Sequence, residues 1–387
     1  MNNEILNTKI GNPSAFDFSR LTKEQEDEVL SSLFEQLLLF DKITIATNRV
    51  NFALVFLINK LGLNTVEKLF DNDYIRLLLW TPVIVSGAGR KKDDGTFDRS
   101  TLYGQPPIVA GALGEDDIDP EKNIIKSISG FNIHRDRRRI FTRRVLKSFV
   151  VPQGMEYSTD SAKFVIDAYE NNNLANLGLP FEKESNQLDF EQRQQLLSLG
   201  HKVLETALIS KYNLKAYENY EPYQICTKNL ENIGNAYNVS ENTSSIFKCE
   251  NLPDLKKLFL SERLQFDDVF KIRHLSNAKY YRKWINNVSE NVNAEEISKE
   301  YINQIKGSTK FFESNSGKFI KNLGMFGVGS LLGAALAGPT GAAVGAAAGK
   351  AAELGLGLLD TFVLDGLLKG KNPSMFIEDL RKRIDNE

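Results

Sequence analysis

The highest density of positively charged side chains in one short segment is a basic run from His134 to Lys147, with seven arginine or lysine residues in fourteen positions. A guanidinium group presents paired N–H donors that match the oxygens of a phosphate. Residues four apart lie on the same face of a helix. The run therefore predicts a cationic, anion-binding stripe of four residues: Arg135, Arg139, Arg143 and Lys147.

This stripe has two interpretations. Like charges at four-residue spacing repel each other, which favours an external anion such as nucleic acid, a nucleotide or lipid headgroups. In the alternative, the chain's own acids neutralise the stripe, and four of them lie just upstream: Glu115, Asp116, Asp117 and Asp119. In either case we expect four apolar side chains to anchor the opposite face: Ile140, Phe141, Val145 and Phe149.

The second feature is an apolar segment rich in glycine and alanine, residues 323–368, whose first 27 residues carry no charge. Gly338-Pro339 divides the segment, because proline lacks an amide hydrogen and clashes with the preceding helical turn. Small residues at four-residue spacing let two helix backbones approach closely. The segment predicts a helical hairpin packed through five glycines: Gly324, Gly333, Gly341, Gly345 and Gly349.

The GxxxGxxxG pattern of the second arm resembles the glycine zippers of membrane hairpins and pore-forming segments, over about a tenth of the chain. The resemblance implies contact with membrane lipid and formation of a homo-oligomer through the zipper. Two permanent membrane spans fit poorly. Residues 323–337 would extend only ~22 Å as a helix against a hydrocarbon core of ~30 Å, and the second arm carries four charges: Lys350, Glu353, Asp360 and Asp365.

Two interpretations of this hairpin remain. In the first, it inserts after a trigger, or it oligomerises so that its charges face a water-filled lumen. In the second, it is a buried helix pair of a soluble protein.

Most catalytic and metal-binding chemistry is missing from the sequence. The three histidines are isolated, and the two cysteines, Cys226 and Cys249, have no metal-binding partner at a suitable spacing. The turn at Gly87–Gly89 lacks the third glycine of a dinucleotide loop. A carboxylate cluster of Asp41, Asp71 and Asp73 is a weak metal-nuclease alternative. We therefore expect no cofactor, no metal and no catalytic residue. A non-enzymatic protein is favoured, and an enzyme stays open as the third hypothesis.

Composition limits the cellular setting. Charged residues make up 25% of the 387 positions and the net charge is −2, so anion binding must come from a local patch. Two cysteines without a disulfide framework favour a reducing compartment. The first 20 residues contain Glu4 and Asp17 and no long apolar run, so we expect no signal peptide there. We expect a cytoplasmic protein, associated with the inner membrane through its C-terminal end.

Helix signals dominate the elements that must position these features. Thr22 with Gln25, Asn64 with Glu67, and Asp189 with Gln192 match the capping-box pattern at helix starts. Gly62 is suited to end a helix over 50–61. Strands are expected at 43–47, 75–80 and 83–85. Residues 151–188 are rich in proline, glycine and asparagine, which suggests a loop-rich domain boundary.

The expected class is mainly α, with a small mixed α/β N-terminal unit and the C-terminal Gly/Ala-rich helical hairpin. The expected units are a mixed α/β domain with the basic helix (1–150), a helical domain (151–318), the glycine-zipper hairpin (319–369) and an amphipathic C-terminal helix (370–387). The apolar face of that last helix, Phe376, Ile377, Leu380 and Ile384, is expected to dock onto the body, although its cations Arg381, Lys382 and Arg383 would also suit lipid headgroups.

This layout favours a membrane-active or membrane-tethered bacterial effector of the toxin-like or phage-defence type. Its soluble part would bind an anionic signal or partner, and its hairpin would act on the inner membrane. The alternative is a soluble cytoplasmic protein that binds nucleic acid or a nucleotide through the stripe from Arg135 to Lys147.

Overall fold

The computed structural model describes residues 3–11, 21–79, 84–86, 90–91, 97–98, 108–110, 115–152, 156–172, 174–177, 179, 187–212, 214–219, 244–290, 320–328 and 374–385. These residues are mostly helical, with a small parallel sheet near the N-terminus. The expected class is confirmed at that level. Most of the expected hairpin, beyond residue 328, lies outside the described residues.

The helices are α1 (Lys23–Leu39), α2 (Phe52–Leu61), α3 (Leu63–Asp71), α4 (Glu115–Ile118), α5 (Pro120–Ile128), α6 (Arg135–Leu146), α7 (Glu156–Glu170), α8 (Phe190–Lys211), α9 (Leu255–Leu260), α10 (Asp268–His274), α11 (Ser276–Glu290) and α12 (Ser374–Asp385). The strands are β1 (Glu4–Asn7), β2 (Lys42–Thr47), β3 (Ile75–Leu79), β4 (Ile84–Ser86), β5 (Arg90–Lys91), β6 (Phe97–Asp98), β7 (Ile108–Ala110), β8 (Phe149–Val150), β9 (Ala216–Asn219), β10 (Ser244–Pro253) and β11 (Ile320–Val328).

The N-terminal sheet has the strand order β1-β2-β3-β8, and all its pairs are parallel. Parallel neighbours need a crossover connection, which α1 supplies between β1 and β2, and α2 with α3 between β2 and β3. Their register sets Ile5 beside Ile43 and Ile45 beside Leu77. These side chains are fully buried, so the position of the strands in the core explains why their sequences are apolar.

Several local signals work as expected. Thr22 and Gln25 form a reciprocal capping box at the start of α1, and the side chains of Asp189 and Gln192 each accept a hydrogen bond from the other's backbone amide. Gly62 ends α2 with a φ of 77°, a conformation that favours glycine. The three strand predictions correspond to β2, β3 and β4.

Two local expectations are wrong. Asn64 does not cap a helix, because Gly62 serves both α2 and α3 and α3 already begins at Leu63. The region expected to be loop-rich contains a helix of 15 residues, α7, since the stretch Glu156–Glu170 itself contains no proline or glycine.

The C-terminal helices belong to the same buried core as the N-terminal sheet. α1 packs against α9, α10 and α11, and α12 packs against α11. One apolar cluster extends from Ile5 to Ile384, and it includes Phe376, Ile377 and Leu380. The predicted docking of the C-terminal helix through these side chains is confirmed. The division of the chain at residues 150 and 318 stays a prediction.

The first residues of the expected hairpin form a strand and not a helix. β11 is the central strand of an antiparallel sheet with the order β10-β11-β9, and Gly324 lies opposite both Lys248 and Glu218. Gly324 and Gly327 weaken a helix over this stretch, whereas pairing on both sides satisfies the strand's backbone. Gly324 is therefore not a helix-packing residue. Gly333, Gly341, Gly345 and Gly349 lie outside the described residues.

Among the residues that the structure describes, no helix combines the length and the apolar character that crossing a membrane requires.

Candidate anion-binding face

The basic run folds as α6, whose inner side is held in the core. Phe141 and Val145 are fully buried, and Phe141 packs edge-on against Phe70 of α3 with ring centres 6.4 Å apart. α6 also packs against α5. These contacts fix the rotation of the helix about its axis, so they decide which of its cations point outward.

Two of the arginines pair with acids on α3. Arg137 donates hydrogen bonds to both carboxylate oxygens of Glu67, at 3.2 and 2.7 Å, and a further one to Asn64. Arg144 lies 2.6 Å from Asp71 and 3.5 Å from Glu67. The hydrogen bond to Glu67 raises the pKa of Arg137. These pairs lock α6 against α3.

A third arginine has a local structural role. Arg138 donates to the backbone carbonyls of Phe131 and Ile133, each at 3.4 Å. Those carbonyls belong to the turn between α5 and α6, so Arg138 holds the entry to the helix.

The four predicted anion-binding residues behave differently. Arg135, Arg139, Arg143 and Lys147 are all exposed. Within the described part of the chain, none of them makes an ion pair or a side-chain hydrogen bond. Of the upstream acids proposed as partners, Asp116 pairs with Lys122 at 2.6 Å and Asp119 caps α5.

The outward side of α6 contains two further exposed residues, Asp136 and Ile140. Helical geometry sets Asp136 between Arg143 and Lys147, and it sets Ile140 at the edge of the row of cations, next to Lys147. The six residues together are called the α6 outer face: Arg135, Asp136, Arg139, Ile140, Arg143 and Lys147. Asp136 lies 3.9 Å from His134, also exposed, and is the single acid on this face.

Ile140 corrects an expectation. It was expected to anchor α6 in the core, yet it is 53% exposed. The reason is angular: at 100° per residue, Ile140 points away from Phe141 and Val145 and towards the side of Arg143. Phe149 is partly buried against the core, as expected.

The positive charges of the α6 outer face destabilise the chain when no anion is bound. Four cations at four-residue spacing repel along the helix, and Arg135 sits in the first turn, where the helix dipole opposes a positive charge. The stripe extends about 18 Å, from twelve steps of ~1.5 Å. The face is therefore a rigid, positively charged strip suited to several phosphate groups at once.

The weak carboxylate alternative does not form one cluster. Asp41 pairs with Arg282, Asp71 with Arg144, and Asp73 with Lys42, so each acid has its own cation. No group of histidine, cysteine and carboxylate side chains suited to a metal ion occurs in the described ranges.

Sequence reasoning missed a row of polar side chains across the sheet. The side chains of Glu4 on β1, Thr44 on β2 and Arg76 on β3 contact one another, with Arg76 Nε 2.5 Å from Glu4 and 2.7 Å from the Thr44 hydroxyl. Thr44 also donates to Glu4. The available signal was Arg76 itself, a cation inside an otherwise apolar strand. Its position beside Tyr212 at the end of α8, 5.9 Å from the ring centre, indicates a structural role.

Comparison of the chain with protein-family models, with curated proteins and with solved structures finds no match.

Proposed function

We propose that this chain is a membrane-active or membrane-tethered bacterial effector, of the toxin-like or phage-defence type, that binds an anionic partner through the α6 outer face. The observation that carries the proposal is that the cations of α6 include two groups, those paired with acids of the chain and those exposed without a described partner. Arg137 and Arg144 use the acids of α3, whereas the four cations of the outer face have no described partner.

The division matters because, in the described part of the chain, acids neutralise α6 only on the side that faces α3. There, Glu67 accepts from Arg137 and also lies near Arg144, so one carboxylate serves two cations. The outer face keeps its repulsion instead, a cost that a bound anion would offset. Guanidinium and ammonium groups on a fixed helix face suit a surface or polymer that carries several phosphates.

The second part of the proposal concerns the segment between β11 and α12, whose glycine spacing favours a packed hairpin that acts on the inner membrane. Its flanks support this role, because the chain enters the segment from β11 and returns to α12. α12 is held by Phe376, stacked on Tyr281 at 4.6 Å, and by Asp379, which accepts from Asn277 at 2.9 Å. Both flanks are thus parts of the folded body, an arrangement suited to a hairpin whose two ends stay on one side of a bilayer.

The first experiment tests membrane action without removing folded elements. Truncation near residue 316 would delete β11 and α12, so Gly341, Gly345 and Gly349 are replaced by leucine in the full chain. The matched control adds the same bulk on another predicted helix face: Ala343, Ala347 and Ala351. We expect the wild type and the control to release dye from phosphatidylglycerol vesicles and the glycine variant to release little. If the wild type releases none and stays out of the membrane fraction, the membrane role is lost.

The second experiment tests anion binding. Arg135, Arg139 and Arg143 are changed to glutamate, and the salt concentration at which the full chain elutes from heparin is measured. The control reverses three exposed cations of the C-terminal helical region: Arg263, Lys279 and Lys382. We expect the outer-face variant alone to elute at much lower salt. Equal elution of the two variants would remove the outer face as an anion site.

The nucleic-acid alternative is favoured by one observation, the regular spacing of ~6 Å between successive cations on the helix face. It predicts binding to a mixed-sequence duplex with a slope of log K against log salt of about −0.9 for each phosphate contacted. The glutamate variant would make that slope less negative by about three units, because three cations no longer contact phosphates. Binding to the duplex that outcompetes phosphatidylglycerol vesicles would favour this alternative.

A further inference from the structure

We infer that the anionic partner of the α6 outer face is the surface of a phospholipid bilayer, on which the helix lies flat with Ile140 inserted between the headgroups. The inference rests on the proposed anion-binding role of this face. It identifies the partner, and it assigns to Ile140 an apolar contact with that partner in addition to the electrostatic contacts of the cations.

The first support is the exposure of Ile140. Ile140 is 53% exposed, and helical spacing puts Arg143 and Lys147 next to it on the outer face, together with Asp136. Water contact with this much of an isoleucine costs free energy that burial in a lipid interface would recover. Interfacial helices combine such an apolar side chain with flanking cations, which contact the anionic headgroups.

The second support is that Ile140 cannot turn inward. Phe141 and Val145 occupy the core side of α6, and Arg137 and Arg144 hold its flank against α3. The exposed isoleucine is therefore a fixed feature of the face. Ile125, 45% exposed on the adjacent helix α5, supplies a second apolar side chain in the same pair of helices.

The third support comes from what the face lacks. Proteins that bind single-stranded nucleic acid combine cations with aromatic side chains on which bases stack. The α6 outer face contains no aromatic residue among its six members. An aliphatic residue beside Arg143 and Lys147 gains little from a hydrated phosphate backbone, whereas it gains from the acyl boundary of a bilayer.

The experiment measures partitioning of the full chain onto vesicles of 30% phosphatidylglycerol in phosphatidylcholine, and onto pure phosphatidylcholine. Ile140→Ser removes the apolar contact, Ile140→Leu keeps it, and Leu260→Ser is the control because Leu260 is 46% exposed on α9. We expect Ile140→Ser to lower partitioning onto the anionic vesicles about tenfold. Ile140→Leu and Leu260→Ser should bind like the wild type, and Ile140→Ser should elute from heparin unchanged.

The outcomes separate the inference from the proposal on which it rests. If Ile140→Ser binds anionic vesicles as tightly as the wild type, the inserted isoleucine is overturned while anion binding stands. If the full chain binds heparin and a duplex but not these vesicles, the partner is nucleic acid and the inference again fails. If reversal of the three arginines leaves heparin elution unchanged, the anion-binding proposal itself falls. Circular dichroism of each variant verifies that it is folded.

Discussion

The guanidinium group of Arg273 lies over the ring of Tyr74, 3.9 Å from the ring centre, and it caps the C-terminal end of α1. It donates to the backbone carbonyls of Leu37, Phe40 and Asp41, the last two at 2.8 and 2.7 Å. The last turn of α1 has no cation of its own. A residue more than 230 positions downstream therefore satisfies carbonyls that the helix leaves unpaired.

Replacement of Arg273 by alanine is expected to lower the free energy of unfolding by about 2–4 kcal/mol, because it leaves buried carbonyls without donors. Burial, followed by the charge of nearby Arg282, lowers the pKa of Arg273 to about 10, yet the group stays charged at neutral pH. Urea unfolding measures the change. The exposed Arg263→Ala is the control and should cost little; equal losses would contradict the capping role.

The pair formed by Glu4 and Arg76 is expected to show strong coupling. Glu4→Gln or Arg76→Met alone should each cost about 2–3 kcal/mol, since each leaves a poorly solvated charge without its partner. The side chains are only 8% and 20% exposed. The double variant should cost clearly less than the sum of the two single variants. Additive losses in a double-mutant cycle would show that the ion pair does not contribute as a unit.

Glu28 is expected to make unfolding depend on pH in the acid range. Burial, the largest influence, raises its pKa, but hydrogen bonds and charges from Lys9 and Lys256 outweigh it and bring the pKa below 4.5. Because the folded pKa is the lower one, this stabilisation is complete above pH 4.5 and is lost as the pH falls through the folded pKa.

Glu28→Gln should therefore have a lower free energy of unfolding than the wild type at neutral pH. The difference between the two proteins should become smaller when unfolding is measured at pH values below 4.5. Urea midpoints measure it, with the exposed Glu378→Gln as the control. A difference that stays constant with pH would contradict this assignment.

Removal of the ring of Phe376 is expected to loosen α12 from the body. Phe376 is 1% exposed and stacks on Tyr281, so Phe376→Ala should cost about 3–4 kcal/mol through the lost contacts and the cavity. Glu378→Ala, on the exposed side of the same helix, should cost little. A loss below about 1 kcal/mol for Phe376→Ala would mean that α12 contributes little to the core.

Much of the local structure could be predicted because its signals involve residues three or four apart. The capping boxes at Thr22 and Asp189, the stop at Gly62 and the four-residue spacing of the outer-face cations all follow from helix geometry. The same logic predicted the apolar docking face of α12. These features need no knowledge of distant parts of the chain.

Local signals failed where pairing with a distant partner decided the outcome. Residues 320–328 had the glycine content of a hairpin arm, but strands β9 and β10 on either side make them a strand. Ile140 looked like a core residue until the orientation of α6 against α3 and α5 set it outward.

The sequence by itself determined where α1 and α8 begin and where α2 ends. It also determined that one helix carries a regular row of cations and that the C-terminal apolar segment has zipper-like glycine spacing. Only the tertiary structure decided that Glu67 and Asp71 neutralise Arg137 and Arg144 while the outer face keeps its charge. It also decided that Arg273 closes α1. Capping and periodicity are properties of neighbouring residues, whereas charge pairing and burial depend on which distant segments the folded chain brings into contact.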